Sequence, residues 1–83
     1  GYEGMALVYM LKGDIKSAHK YVDKSLGLDG KWVPSYIAKG RIFSAEGKYK
    51  KGIKWFDKAL KMDSTIEDAY IYKGEAYIKL NDY

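Results

Sequence analysis

The chain has 83 residues, 47% hydrophobic and 31% charged, with a net charge of +4, nine tyrosines, and no cysteine. That composition belongs to a folded chain of one compact unit at most, burying only about 60% of its unfolded surface, and it excludes a disulfide framework or a thiolate metal site. No apolar run approaches the roughly 20 residues that span a bilayer. The absence of a signal peptide, a membrane segment and cysteine points to the cytoplasm.

In chain order the apolar spacing predicts five helices. The first covers about residues 1 to 12, with Tyr2, Met5, Ala6 and Tyr9 on one face. Gly13 closes it, because glycine tolerates the left-handed backbone of a helix end, and Asp14 opens the next as a cap. The second, about 15 to 28, turns Ala18, Val22, Ser25 and Leu26 inward. The third, about 33 to 46, has Pro34 in its first turn, where a missing N–H costs nothing, and Gly47 ends it. The fourth, about 49 to 62, buries Tyr49, Gly52, Ile53, Phe56, Ala59 and Leu60. Ser64 three residues before Glu67, or Thr65 three before Asp68, predicts a capping box for the fifth helix, about 67 to 80.

The chain matches itself when shifted by 34 residues. Tyr36 falls on Tyr70, Lys39-Gly40 on Lys73-Gly74, Phe43 on Tyr77, and Tyr49 on Tyr83. In the other direction Phe43 falls on Tyr9, Gly47 on Gly13 and Phe56 on Val22, and the run from Asp57 to Asp63 lands on that from Asp23 to Asp29. A gapless self-match at one period in both directions marks a repeat array. The small residues Ala6, Gly40 and Gly74 recur where one helix is expected to cross the next, so that a ring from the partner helix drops onto a nearly bare backbone. Glycine inside a helix costs about 1 kcal/mol, and an aromatic ring burying roughly 150–250 Å² outweighs that.

The middle unit, with Tyr36, Gly40, Phe43, Gly47, Tyr49, Gly52, Phe56, Ala59 and Leu60, resembles the tetratricopeptide repeat. The resemblance implies an all-α, right-handed solenoid of antiparallel helix pairs, with five helices. Residues 1–32 form a first repeat cut short at its start, 33–66 a full second, and 67–83 the first helix of a third. Both ends fall inside the repeat frame, which is expected of a piece of a longer array. Lys39 and Lys73 depart from the family pattern, which favours aliphatic residues there. Their stems are expected along the core edge with the ammonium groups in water. Gly30 and Ser64 replace a frequent proline and are expected to loosen the joints. Trp32, matching Ile66, is expected to seal the joint between units, and Trp55 to be half-exposed.

Catalysis has little material. His19 is the only histidine, on a helix, and reads as a packing residue; no phosphate loop, metal-ligand spacing or nucleophile elbow appears. No enzyme, metal site or cofactor is expected. The resemblance implies peptide recognition on the concave face lined by the first helix of each unit. Projected onto this sequence, that face comprises Leu7, Met10 and Leu11; Ile37, Ala38, Arg41, Ser44 and Ala45; and Ile71, Tyr72, Glu75, Ile78 and Lys79. Two readings of this mostly apolar face stand. Either it docks an amphipathic helix or extended segment, or the repeats are structural spacers whose groove is covered within a larger assembly.

A subset of the family clamps the carboxylate end of chaperone tails. The aligned positions here are Glu3, Leu7, Ala38, Asp68 and Tyr72, none of them a clamp residue, which argues against that partner in this register. Lys48, Lys50, Lys51, Lys54, Lys58 and Lys61 place a basic stripe on the convex side. It reads as a solvated face or a contact for an acidic partner; near-absence of arginine argues against nucleic acid. Self-association through the fifth helix is a further expectation.

Overall fold

The computed structural model describes residues 1–81, and among these the chain is five helices with no strand. They are α1 (Tyr2–Leu11), α2 (Ile15–Leu28), α3 (Val33–Ala45), α4 (Tyr49–Met62) and α5 (Glu67–Asn81). The expected match of Tyr49 to Tyr83 and the last two residues of the third unit lie outside the described residues. Each helix packs on its sequence neighbour, as short connections require. In addition α1 touches α3 and α3 touches α5, whereas α2 and α4 do not meet. One row of three helices is therefore tighter than the row behind it, and the slab, 34 × 29 × 16 Å, curves towards α1, α3 and α5.

Local chemistry sets the turns. Gly13 and Gly47 adopt φ of 84° and 81°. Their N–H groups reach Met10 and Ser44 carbonyls, while Asp14 and Lys48 N–H groups reach Tyr9 and Phe43 carbonyls at 2.9 Å. This is the Schellman closure, repeated one period apart. Asp14 caps α2 by accepting from the Ser17 N–H, and hydrogen bonding from the Ser17 side chain and then its backbone holds the carboxyl below the usual carboxylate range. No capping box forms at Ser64 or Thr65. Thr65 donates its N–H and hydroxyl to Asp63 Oδ1 at 2.9 and 2.6 Å, because that carboxylate already sits at the helix end. The joints at Gly30 and Ser64 are tied rather than loosened: their carbonyls accept the hydroxyls of Tyr36 (2.6 Å) and Tyr70 (3.0 Å).

The core has two parts. Ala6, Ala18, Val22, Ala38 and Ile42 fill one, between α1, α2 and α3; Ile53, Phe56 and Ala76 form the other, with Ile37, Tyr49, Tyr72 and Leu80 against it. Phe56 lies on the bare backbone of Gly40, where a Cβ would come within 2.5 Å of its ring and 2.9 Å of the Gly52 carbonyl oxygen. Gly74 does not share that role: it is exposed, and a Cβ there would meet nothing within 4 Å. On α1, Tyr2 and Met5 are exposed, not packed inward. The Tyr2 ring instead stacks on Tyr21, which stacks on Tyr9 at 5.2 Å between centroids. Leu26, Tyr49 and Leu60 are half-buried. Trp32 is 49% exposed, while Trp55 is half-buried as expected, against Tyr36 and under the Lys58 ammonium at 4.0 Å.

Lys39 overturns the expectation of a solvated ammonium. It is only 8% exposed, and its Nζ donates to Asp23 Oδ1 at 2.8 Å and His19 Nδ1 at 3.0 Å. A buried ammonium needs such partners to offset its lost hydration. Since His19 Nδ1 accepts, Nε2 carries the proton and faces Glu46 Oε1, so the imidazole bridges a cation and an anion. That hydrogen bond, with the Lys48 ammonium 3.5 Å away, holds the Glu46 carboxyl below its ordinary range. One period on, Lys73 repeats the bond to Asp57 at 2.6 Å. The carboxylate raises the Lys73 ammonium above its ordinary value.

Candidate functional site

The face formed by α1, α3 and α5 is grooved. Positions 34 apart line up across it, so Leu7, Arg41 and Glu75 form one row and Met10, Ser44 and Ile78 another. At its centre the Arg41 guanidinium lies 4.5 Å over the Tyr72 ring, a cation–π contact that also turns the arginine's charge towards the wall. This pair divides the groove into two cavities.

The first, about 500 Å³, is bounded by Met10, Ser44, Ala45, Tyr49, Phe56, Tyr72, Ala76 and Ile78, with Arg41, Glu75 and Lys79 at its margin. The second, about 440 Å³, is bounded by Leu7, Pro34, Ile37, Ala38 and Ile66, with Glu3, Glu67 and Asp68 opposite Arg41 and Tyr72. Both volumes lie in the range of pockets that hold a side chain or small ligand. The mostly apolar lining of the first cavity favours apolar anchors, and the three carboxylates at the second oppose an acidic one.

Of the residues projected onto this face, Leu7, Met10, Ile37, Ala38, Arg41, Ser44, Ala45, Tyr72, Glu75, Ile78 and Lys79 line one cavity or both. Leu11 and Ile71 line neither: Leu11 is 79% exposed at the end of α1, and Ile71 faces outward from α5. Ala38 contributes only floor, because its side chain is buried in the core between α1 and α3. Sequence reasoning missed Tyr49 and Phe56. They belong to the outer helix α4: Phe56 is fully buried on Gly40 beneath the cavity, and Tyr49 is half-buried at its edge. The signal was there in the glycines, since a ring resting on a bare backbone lies just beneath the inner face.

Ser44 Oγ is buried without a hydrogen-bond partner among the described residues, pressed against Gly52, where a Cβ would lie 2.6 Å away. On the opposite face Lys50, Lys51, Lys54, Lys58 and Lys61 are exposed. His19 has both ring nitrogens engaged, with its ring 4.8 Å from Phe43, so its place is in the joint between α2 and α3. Among the described residues no helix is long and apolar enough to cross a membrane.

A comparison with curated proteins gives no match. Residues 33–66, which comprise α3, the Gly47 turn, α4 and the Asp63 turn, match the family model described as tetratricopeptide repeat. The Schellman turns, the Lys–Asp bonds and the Tyr–carbonyl bonds recur at that same spacing, and residues 33–66 are similar to a tetratricopeptide repeat.

Proposed function

We propose that the chain docks a partner protein through the concave groove, taking a segment with two or three apolar anchors, as an amphipathic helix or an extended strand. Repeats of this family generally mediate protein–protein interactions and are generally non-enzymatic scaffolds. The observation that carries the proposal is the pair of adjoining cavities, the first mostly apolar and the second rimmed by carboxylates, that together span three inner helices. A side chain entering the first cavity meets Met10, Tyr72 and Ile78, and burying one large apolar side chain contributes about 1.5–3 kcal/mol. The carboxylates of Glu3, Glu67 and Asp68 set against the second cavity disfavour a segment ending in acidic residues.

The test is a display selection of random peptides against the 83-residue chain. Enriched peptides should carry apolar anchors at helical or alternate spacing. Met10→Asp and Ile78→Asp should each weaken them at least about tenfold, because an aspartate in an apolar cavity loses its hydration. Helicity should stay at the parent level. Selected peptides that bind the double variant as tightly as the parent would move the site off this face.

A further inference from the structure

The outer helices repeat a pattern that neither the core nor the groove uses. On α2, Lys16, Lys20 and Lys24 stand four residues apart. On α4, Lys50, Lys54 and Lys58 stand at the same three places one period later, and all six are exposed. At about 1.5 Å and 100° per residue, each trio forms a row with steps of about 6 Å, and Lys51 and Lys61 fall within the same arc of about 100° on α4. The aspartates of these helices leave the rows uncompensated. Asp23 and Asp57 accept from Lys39 and Lys73 of the inner helices at 2.8 and 2.6 Å, and among the described residues none of the six lysines is in an ion pair. The two helices thus hold eight lysines against two aspartates, a net +6 in a chain of net +4, so the rest sums to −2. Like charges four apart on a helix oppose its formation, and a partner of opposite charge relieves that repulsion.

We propose that this convex face binds an acidic polypeptide segment, its carboxylates laid along the lysine rows. Stacking of repeats does not hide the face. The second unit packs on the first and still leaves Lys16, Lys20 and Lys24 exposed, because α2 and α4 do not meet. Carboxylates on every fourth residue of a helix, or on alternate residues of an extended chain, repeat at about 6 to 7 Å, the step of the rows. The carboxylates of Glu3, Glu67 and Asp68 repel such a segment from the second cavity, so the two surfaces take different ligands.

Nucleic acid fits less well. Neither α2 nor α4 carries an arginine, and the rings beside the lysines, on which bases would stack, are already engaged. Tyr21 stacks on Tyr9 with the Lys24 ammonium over it at 5.4 Å, and Trp55 has Tyr36 against it and Lys58 over it. A lipid bilayer also fits less well, since a plane meets only the crest of a convex face.

The experiment is fluorescence anisotropy of a labelled poly-glutamate peptide of about 16 residues, titrated with the 83-residue chain at about 50 and about 200 mM salt. The parent should bind at low salt and lose affinity at least about fivefold at high salt. Lys50→Glu with Lys54→Glu should weaken binding at least about tenfold, and Lys50→Gln with Lys54→Gln, which adds no new charge, by an intermediate factor. Lys12→Glu with Lys31→Glu shifts the net charge as much at exposed positions outside the rows, and should weaken binding less than about threefold. Circular dichroism should show the parent's helicity throughout. No binding at about 1 mM chain in low salt would overturn the proposal. Equal losses in the two charge-reversed variants would overturn it by showing attraction to net charge alone. Tighter binding of a single-stranded oligonucleotide or of phosphatidylserine vesicles than of the peptide would overturn it too, and give the face to nucleic acid or to a membrane.

Discussion

Gly40 and Gly74 are the same residue at the same place in the repeat, with opposite demands on what may replace them. A side chain at Gly40 must displace the Phe56 ring and the Gly52 carbonyl, the latter being backbone that cannot swing away. Gly40→Leu should therefore cost about 3 kcal/mol or more through overpacking, against about 1 kcal/mol gained in helix propensity. For a chain this size that net loss lowers the melting temperature by on the order of 10 °C; a thermal melt close to the parent would contradict the ring-on-glycine packing. Glu46 supplies a pH-dependent contribution. Its folded carboxyl lies below the usual range because His19 and Lys48 face it. The stability it adds is present above the unfolded value of about 4.3 and is lost as pH falls through the lower folded one. Glu46→Gln should thus be less stable than the parent at pH 7, and the gap in urea midpoints should close in strong acid. A gap that persists there would mean that the contact does not depend on the carboxylate charge.

At the scale of elements, the two joints between repeats are built from different chemistry at matching positions. Where α2 meets α3, Ser25 and Ser35 share a buried hydroxyl–hydroxyl bond of 2.6 Å, and His19 faces Glu46. One period later, where α4 meets α5, the same positions are Ala59 and Ala69, both fully buried, and Ile53 and Leu80. The fold thus accepts either a satisfied polar pair or an apolar pair, and what it excludes is half of one. Ser25→Ala or Ser35→Ala alone should cost about 1–2 kcal/mol by leaving a buried hydroxyl unpaired, while the double change should be close to neutral. A double-mutant cycle in urea reads this directly; additive losses would show that the two hydroxyls do not depend on each other. Each joint also carries a Lys–Asp bond and a Tyr–carbonyl bond, so neither rests on its central pair alone.

At the scale of the molecule, stability and shape come from neighbour-on-neighbour stacking, as in any one-dimensional array. The inner row of α1, α3 and α5 touches from helix to helix while α2 and α4 do not meet, and the groove is the curvature that follows. The helices and their turns were legible along the chain, with bounds within a residue or two, because Gly13, Gly47, Asp14 and Pro34 act through their own backbone and nearest neighbours. The 34-residue period was legible too, since each unit must present the same small-residue and ring positions to stack on the next. Most of the groove followed from helical spacing, which fixes the face on which a side chain stands.

Which neighbour covers that face is another matter, and there the tertiary structure decided. Burial of the Lys39 ammonium, the bridging role of His19 and the close seat of Phe56 on Gly40 all depend on contacts between residues far apart in sequence. A residue's own helix sets its direction, but the distance and chemistry of the opposing helix set its energy, and no pattern read along one strand of chain contains that distance.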